Sequence, residues 1–186
     1  MTPEQYQELK RKVDELERRR SVSGMAKWFV PGSDYSIEKY PKHHVFFDLG
    51  SECRERVFLA ANRAGKSTAG AFEVACHATG IYPSWWKGKR FDTPCEIWVA
   101  GKDKTTTRDT IQVALLGPLG APGTGMIPAA NIKRTWSMQG VPNGVEIASI
   151  QHISGGLSTI GFKSYDRGVE SFFGTADTAI SLLGLP

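Results

Sequence analysis

Cysteine is scarce in this chain of 186 residues: Cys53, Cys76 and Cys95 are odd in number, far apart and without a C-x-x-C pair. That pattern argues against a disulfide framework and a zinc site, and fits thiols kept reduced in a cytoplasm. Histidine is scarce too, and His43, His44, His77 and His152 show no ligand spacing, so no metal cluster is expected. Long apolar runs are missing, and none approaches the roughly 18 residues that a membrane span needs. The first twenty residues, MTPEQYQELKRKVDELERRR, are charged throughout and have no apolar centre, which excludes a secretion signal. Internal repeats are absent. An excess of one charge sign is slight, since a net charge of +4 only mildly favours an anionic partner. What remains is the composition of an ordinary globular protein, with enough chain for one domain with a core, or one domain and a short appendage.

Residues 1–20 read as a helical arm. Thr2 can cap it, Pro3 suits the first turn, and Gln5 completes a capping-box pattern. Tyr6, Leu9, Val13 and Leu16 form one narrow apolar seam, which either docks on the chain's own domain or pairs with a partner. Arg18, Arg19 and Arg20 favour the helix dipole at its end, and can also touch nucleic-acid phosphates. Residues 21–50, broken by Pro31-Gly32 and Pro41, read as irregular connection. Residues 57–61 are a short apolar run of the kind found in buried parallel strands. A helix follows from Ser67 to about Thr79, then a strand over residues 96–100 and a helix over residues 105–116. Strand, helix, strand, helix predicts βαβ units and a mostly parallel sheet flanked by helices. Beyond a Gly/Pro-rich loop at residues 117–125, alternation on both sides of Pro142-Asn143-Gly144 predicts an antiparallel hairpin. Residues 157–162 and 179–186 are further strand candidates, with a short helix over residues 164–173 weakened by Gly168.

The stretch FLAANRAGKSTAG, residues 58–70, carries the chemistry. A phosphate-binding loop follows a strand, opens a helix, and reads G-x-x-x-x-G-K-[ST]. Here Ala60 stands for the first glycine, and Gly65, Lys66 and Ser67 match the rest. Such a loop must converge its N–H groups on phosphate without side chains in the way, and the helix N-terminus adds partial positive charge. Ala60, Ala61, Asn62, Arg63, Ala64, Gly65, Lys66, Ser67 and Thr68 are therefore the candidate nucleotide-binding residues. Lys66 would reach the β- and γ-phosphates, and Ser67 would offer a hydroxyl to Mg²⁺. Arg63 either pairs on the loop surface or stabilises charge on the γ-phosphate, which would make it catalytic beside Lys66. The bland alternative is a tight strand-to-helix turn with a solvated lysine.

Four segments together, RERVFLAANRAGKSTAGAFE, TGIYPSWWKGKRF, EIWVAGKDKTTTRDTIQ and GFKSYDRGVESFFGT, resemble the N-terminal motor domain of a bacteriophage terminase large subunit. The resemblance spans roughly residues 35–175. It implies an additional-strand P-loop NTPase fold that uses ATP and Mg²⁺ to drive double-stranded DNA into a capsid in the bacterial cytoplasm. It also implies a portal and a small terminase subunit as partners, with a homo-oligomer possible. Residues 51–186 would be an incomplete ATPase domain without the nuclease domain, and YPKHHVFF at residues 40–47 lies where such motors position adenine, or else is core. A helicase-like P-loop enzyme is the runner-up, and a prophage remnant that binds without turnover the third reading.

One requirement is unmet. Motors of this family carry a strand after FFGT that ends in an aspartate for the Mg²⁺ shell and a glutamate that activates water. This chain reads GTADTAISLLGLP, with Leu183 and Gly184 about where the acids should stand and Asp177 several residues early. A chain cut before its Walker B acid pair, deficient in hydrolysis, is the expectation. Asp103 and Asp109 more naturally start a helix and pair with nearby cations. WWKGKR at residues 85–90 interleaves aromatics with cations and either faces DNA or covers the sheet edge.

Overall fold

The computed structural model describes residues 2–61, 63–167 and 178–181. The first helix, α1 (Pro3–Val22), opens with the expected capping box. Thr2 N–H donates to Gln5 Oε1 at 2.9 Å, and Gln5 N–H to Thr2 Oγ1 at 3.3 Å. Tyr6, Leu9 and Val13 stay about half exposed, so this part of the seam is not docked on the described domain.

Two expectations fail in the next sixty residues. Residues 21–50 are not merely irregular, because Pro41–Asp48 forms helix α2. Pro41 stands in its first turn, where a missing N–H costs nothing, and His43 and Phe47 turn into the core. Residues 57–61 are extended but lie in no strand ladder. Val57 and Leu59 are 80% and 75% exposed, while Phe58 between them packs on the core. The run buries one face only and has no neighbouring strand among the described residues, so composition alone overstated its burial.

Helix α3 (Lys66–Thr79) begins at the end of the glycine-lysine-serine loop and is buried along its whole length from Ala69. Gly80, left-handed at φ 71°, ends it with its N–H donated to Cys76 O at 2.9 Å. Strand β1 (Glu96–Gly101) follows, and then a continuous helical stretch at residues 104–116. This comprises α4 (Lys104–Thr106), a π-helical turn (Thr107–Gln112) and α5 (Val113–Leu116). Asp103 starts it as expected, accepting from Thr106 N–H at 2.7 Å, which holds its carboxyl below the usual range. Asp109 pairs with the adjacent Arg108 at 2.7 Å.

The predicted hairpin is present as β2 (Ile132–Ser137) and β3 (Val145–Gln151), with Asn143 left-handed at φ 61° in its turn. Gln112 fastens that turn, donating to Asn143 O at 3.0 Å and accepting from Val145 N–H at 2.8 Å. Strands β4 (Leu157–Ser164) and β5 (Thr178–Ser181) complete a sheet of order β2-β3-β4-β1-β5. β1 runs parallel to β4 and β5, whereas β3 is antiparallel to β2 and β4. The fold is therefore α/β with a mixed sheet rather than a mostly parallel one. The hairpin extends the same sheet because Ile147–Gln151 continues its pairing onto β4. Of the last predicted helix, Ser164 ends β4, residues 165–167 form a short 3₁₀ turn, and residues 168–173 lie outside the described residues.

The core sits on one sheet face. Ile97 and Val99 of β1, Ala148 and Ile150 of β3, and Ile160 and Phe162 of β4 are buried there with Val74 and Ala75 of α3 and Leu115 of α5. At about 25 cal/mol per Å² of apolar area removed from water, each such Val, Leu, Ile or Phe side chain stabilises the fold by roughly 1.5–3 kcal/mol. This packing fixes the start of α3, and so the loop before it. Among the described residues no helix is long and apolar enough to cross a membrane.

Candidate functional site

The candidate site is the loop between the extended run and α3. Of its residues, Ala60, Ala61, Arg63, Ala64, Gly65, Lys66, Ser67 and Thr68 are contiguous at the helix start, and Asn62 lies outside the described residues. Gly65 takes φ 83°, a left-handed turn that suits glycine, and stands immediately before the helix. Its carbonyl accepts the first helical bond, from Ala69 N–H at 2.9 Å. The N–H groups of the first helical turn have no acceptors within a helix, and with its partial positive charge they form a natural anion seat.

Lys66 is half-buried and folds back over the loop. Its Nζ donates to the carbonyl of Ala60 at 2.6 Å and of Ala61 at 2.9 Å. The ammonium is thus held within the loop, with two of its donors on backbone oxygens, rather than extended into solvent. Ser67 and Thr68 are half-buried beside it.

Arg63 is exposed and left-handed, at φ 63°. For an L-residue this region costs about 1–2 kcal/mol relative to ordinary helical backbone. Strain of this kind gathers in loops that hold a ligand. Arg63→Gly is therefore expected to be more stable than Arg63→Ala by about 0.5–1 kcal/mol, the reverse of the usual order, after allowing for glycine's freer unfolded chain. Urea denaturation of the two variants checks this, and an alanine variant at least as stable would show that the strain is absent.

Helix α2 lies against both flanks of the loop. The His43 ring meets Phe58 edge-on, with centroids 4.8 Å apart, and Phe46 stacks on Phe58 at 5.0 Å. Before the extended run, Arg56 donates Nη1–H to Phe46 O at 2.6 Å and Nη2–H to Glu73 Oε1 at 2.7 Å. The same Glu73 oxygen lies 3.5 Å from His77 Nε2, and His77 Nδ1 lies 2.9 Å from Tyr82 Oη. Tyr82 Oη in turn accepts from Phe91 N–H at 2.8 Å, while burial pushes its phenol far above the ordinary value. Glu73 and His77 are only 1% and 2% exposed. A buried polar chain thus links the segment before the loop, the helix after it and the Tyr82–Phe91 turn. Sequence reasoning missed this chain. Its one local signal was a glutamate four residues before a histidine in an otherwise apolar helix.

The aromatics of residues 40–47 are packing elements here. Phe47 is fully buried, and Tyr40 and Phe46 lean on the core. The tryptophans of WWKGKR are packing elements too, lying against helices α2 and α3. Trp86 is 3% exposed against Phe47 at 5.0 Å, and Trp85 stacks on Phe72 of α3 at 6.1 Å. Trp85 Nε1–H donates to Phe29 O at 2.9 Å, and Trp86 Nε1–H to Lys89 O at 3.1 Å. Lys87, Lys89 and Arg90 are left at the surface, with Lys89 over Phe91 and Arg90 over Tyr82. The side chains of Arg18, Arg19 and Arg20, and Asp177, Leu183 and Gly184, lie outside the described residues.

No family model matches the chain, and no solved structure matches it significantly. Among curated proteins it is 35% identical over 154 residues to the terminase large subunit of Salmonella phage P22. That alignment covers 72% of this chain and 31% of the phage protein, so the chain spans about a third of its relative's length. The resemblance to the terminase large subunits is thereby borne out.

Proposed function

From this kinship with the terminase large subunits, we propose that the chain is the nucleotide-binding portion of a motor that packages double-stranded DNA into capsids in the bacterial cytoplasm. The observation that carries the reading is the Gly65-Lys66 helix start, with the lysine ammonium held at 2.6 and 2.9 Å from the loop's own carbonyls. A phosphate group there would be met by first-turn N–H groups, by the helix dipole and by Lys66, which exchanges two carbonyl acceptors for phosphate oxygens.

ATP fits this donor set, since the loop supplies donors and positive charge and the exposed Arg63 adds a guanidinium for the γ-phosphate. Ser67 would contribute a hydroxyl to Mg²⁺ brought in with the nucleotide. Among the described residues no cluster of three His, Cys, Asp or Glu side chains stands ready to hold a metal on its own. Mg²⁺, when bound, neutralises phosphate charge, while the chain's own residues bind and orient the phosphates. The α/β sheet with α3 behind the loop supports the additional-strand P-loop reading, with residues 51–186 as the ATPase portion and residues 1–20 as an arm. Double-stranded DNA, a portal, a small terminase subunit and further copies of the chain are the partners this reading entails.

Calorimetric titration with ATP, ADP and adenosine tests it. ATP and ADP with Mg²⁺ should bind, adenosine should bind far more weakly, and Lys66→Ala should lower ADP affinity about 10- to 100-fold. That loss matches the 1.5–3 kcal/mol of a hydrogen bond to a charged group. Equal affinity in wild type and Lys66→Ala would overturn phosphate binding at this loop.

A further inference from the structure

Helix α1 is anchored at one end only. It meets the domain at Ser23, which is buried, and just beyond it Gly24 N–H donates to Gly125 O at 2.7 Å. Toward the other end, every residue from Thr2 to Asp14 is exposed. The apolar stripe is thus formed but unused, with Tyr6, Leu9 and Val13 at 54%, 52% and 43% exposure. A helix standing in water gains little from its own hydrogen bonds and depends on burying such a stripe. The spacing says what would bury it. Tyr6, Leu9, Val13 and Leu16 follow one another by three, four and three, the a and d positions of two heptads. That stripe is narrower than the one a helix lays on a globular domain. Valine at a with leucine at d is the pairing that favours two parallel strands.

We propose that α1 is a self-association element, through which two copies of this chain join in a short parallel coiled coil along Tyr6, Leu9, Val13 and Leu16. The charges beside the stripe support a second copy as the occupant. Lys12 stands at a g position and Glu17 at the e position of the next heptad. In a parallel pair these positions face each other across the seam, so Lys12 meets Glu17 of the second copy, and twofold symmetry repeats the contact. Lys12 now leans on Glu8 of its own helix at 3.4 Å, an exposed pair that costs little to exchange. The other g and e residues, Gln5 and Lys10, meet without repulsion. Antiparallel pairing of the same layers would instead set Lys10 against Lys10 and Lys12 against Lys12. Arg18, Arg19 and Arg20 oppose the parallel arrangement, because both copies bring them to one end. With two heptads against that repulsion, the dimer is weak and depends on concentration.

Sedimentation equilibrium of the whole chain over a concentration series tests this, with circular dichroism as the control for folding. Wild type should pass from monomer to dimer as concentration rises. Leu9→Ala keeps a strong helix former and removes a leucine from each side of the seam, so dimerisation should weaken about 100-fold. Lys12→Glu and Glu17→Lys each turn both attractive contacts into repulsive ones, and each alone should dimerise about tenfold more weakly. An equal mixture of these two variants should recover the wild-type association. Glutamate at position 12 of one copy then faces lysine at position 17 of the other, and Lys12 of the second faces Glu17 of the first. A wild type that stays monomeric at every concentration would overturn the proposal and leave the seam to a different protein. A dimer indifferent to Leu9→Ala would overturn it as well, since the contact would lie elsewhere on the chain. A mixture no tighter than its separate parts would rule out the parallel register on which the argument from charge depends.

Discussion

Replacing Arg56 by alanine is expected to lower folding stability by about 3–5 kcal/mol, the cost of leaving one member of a buried ion pair alone. Glu73 is 1% exposed and its Oε1 accepts from Arg56 at 2.7 Å, so without the guanidinium a carboxylate is stranded in the core. The Arg56 side chain is 17% exposed and can turn toward water when Glu73 is removed. Glu73→Ala should therefore cost less than Arg56→Ala. Arg56 also donates to Phe46 O at 2.6 Å and lies over the Phe46 ring at 4.6 Å, so its loss frees α2 from the segment before the loop. The double variant Arg56→Met/Glu73→Leu replaces the pair by apolar groups and should recover much of the loss, because pairs of this kind often gain little over a packed apolar substitute. Urea midpoints at unchanged slope provide the measurement. A single-variant cost below about 1 kcal/mol would mean that the pair behaves as a surface salt bridge.

How much of this was legible beforehand depends on how local each cause is. The capping box of Thr2 and Gln5, the helix behind Gly65-Lys66-Ser67 and the hairpin around Asn143 all follow from contacts within a few residues, and all are present. Pro41 was misread because a proline marks a helix start as readily as a break. The run at residues 57–61 has the composition of a strand, but composition does not say whether a partner lies alongside. Trp85 and Trp86 interleave with cations in the manner of a nucleic-acid surface, yet their rings close over Phe72 and Phe47, which come from elsewhere in the chain. The Arg56–Glu73 bridge joins residues 17 apart and was invisible to any local pattern. In the candidate site, the loop residues themselves were legible. The left-handed backbone of Arg63, the inward fold of Lys66 and the contact of His43 with Phe58 depend on tertiary placement and were not.

The same 186 residues are expected to bind ATP yet hydrolyse it at little above the rate of a Lys66→Ala control. Phosphoryl transfer from ATP to water needs the γ-phosphate held, its developing charge balanced, and a water aimed and deprotonated. In the proposed reading, Lys66, the first turn of α3 and Arg63 would address the first two needs. The third falls to a carboxylate, and the stretch TADTAISLLGLP supplies one aspartate, Asp177, followed by nine residues with no acid. Glu73 cannot serve, because it is buried on α3 and committed to Arg56. Asp103 is committed to the start of α4, where two bonds from Thr106 hold it. Lack of a water-activating base costs about 10²- to 10⁴-fold in rate, and a missing metal-shell acid adds to that. Phosphate release, measured with and without duplex DNA beside the Lys66→Ala control, tests the expectation. DNA-stimulated turnover well above that control would mean that a carboxylate elsewhere completes the site, Asp177 or one brought by a second copy. Binding without turnover would instead make the loop a holder of nucleotide whose hydrolysis waits on acids from outside these residues.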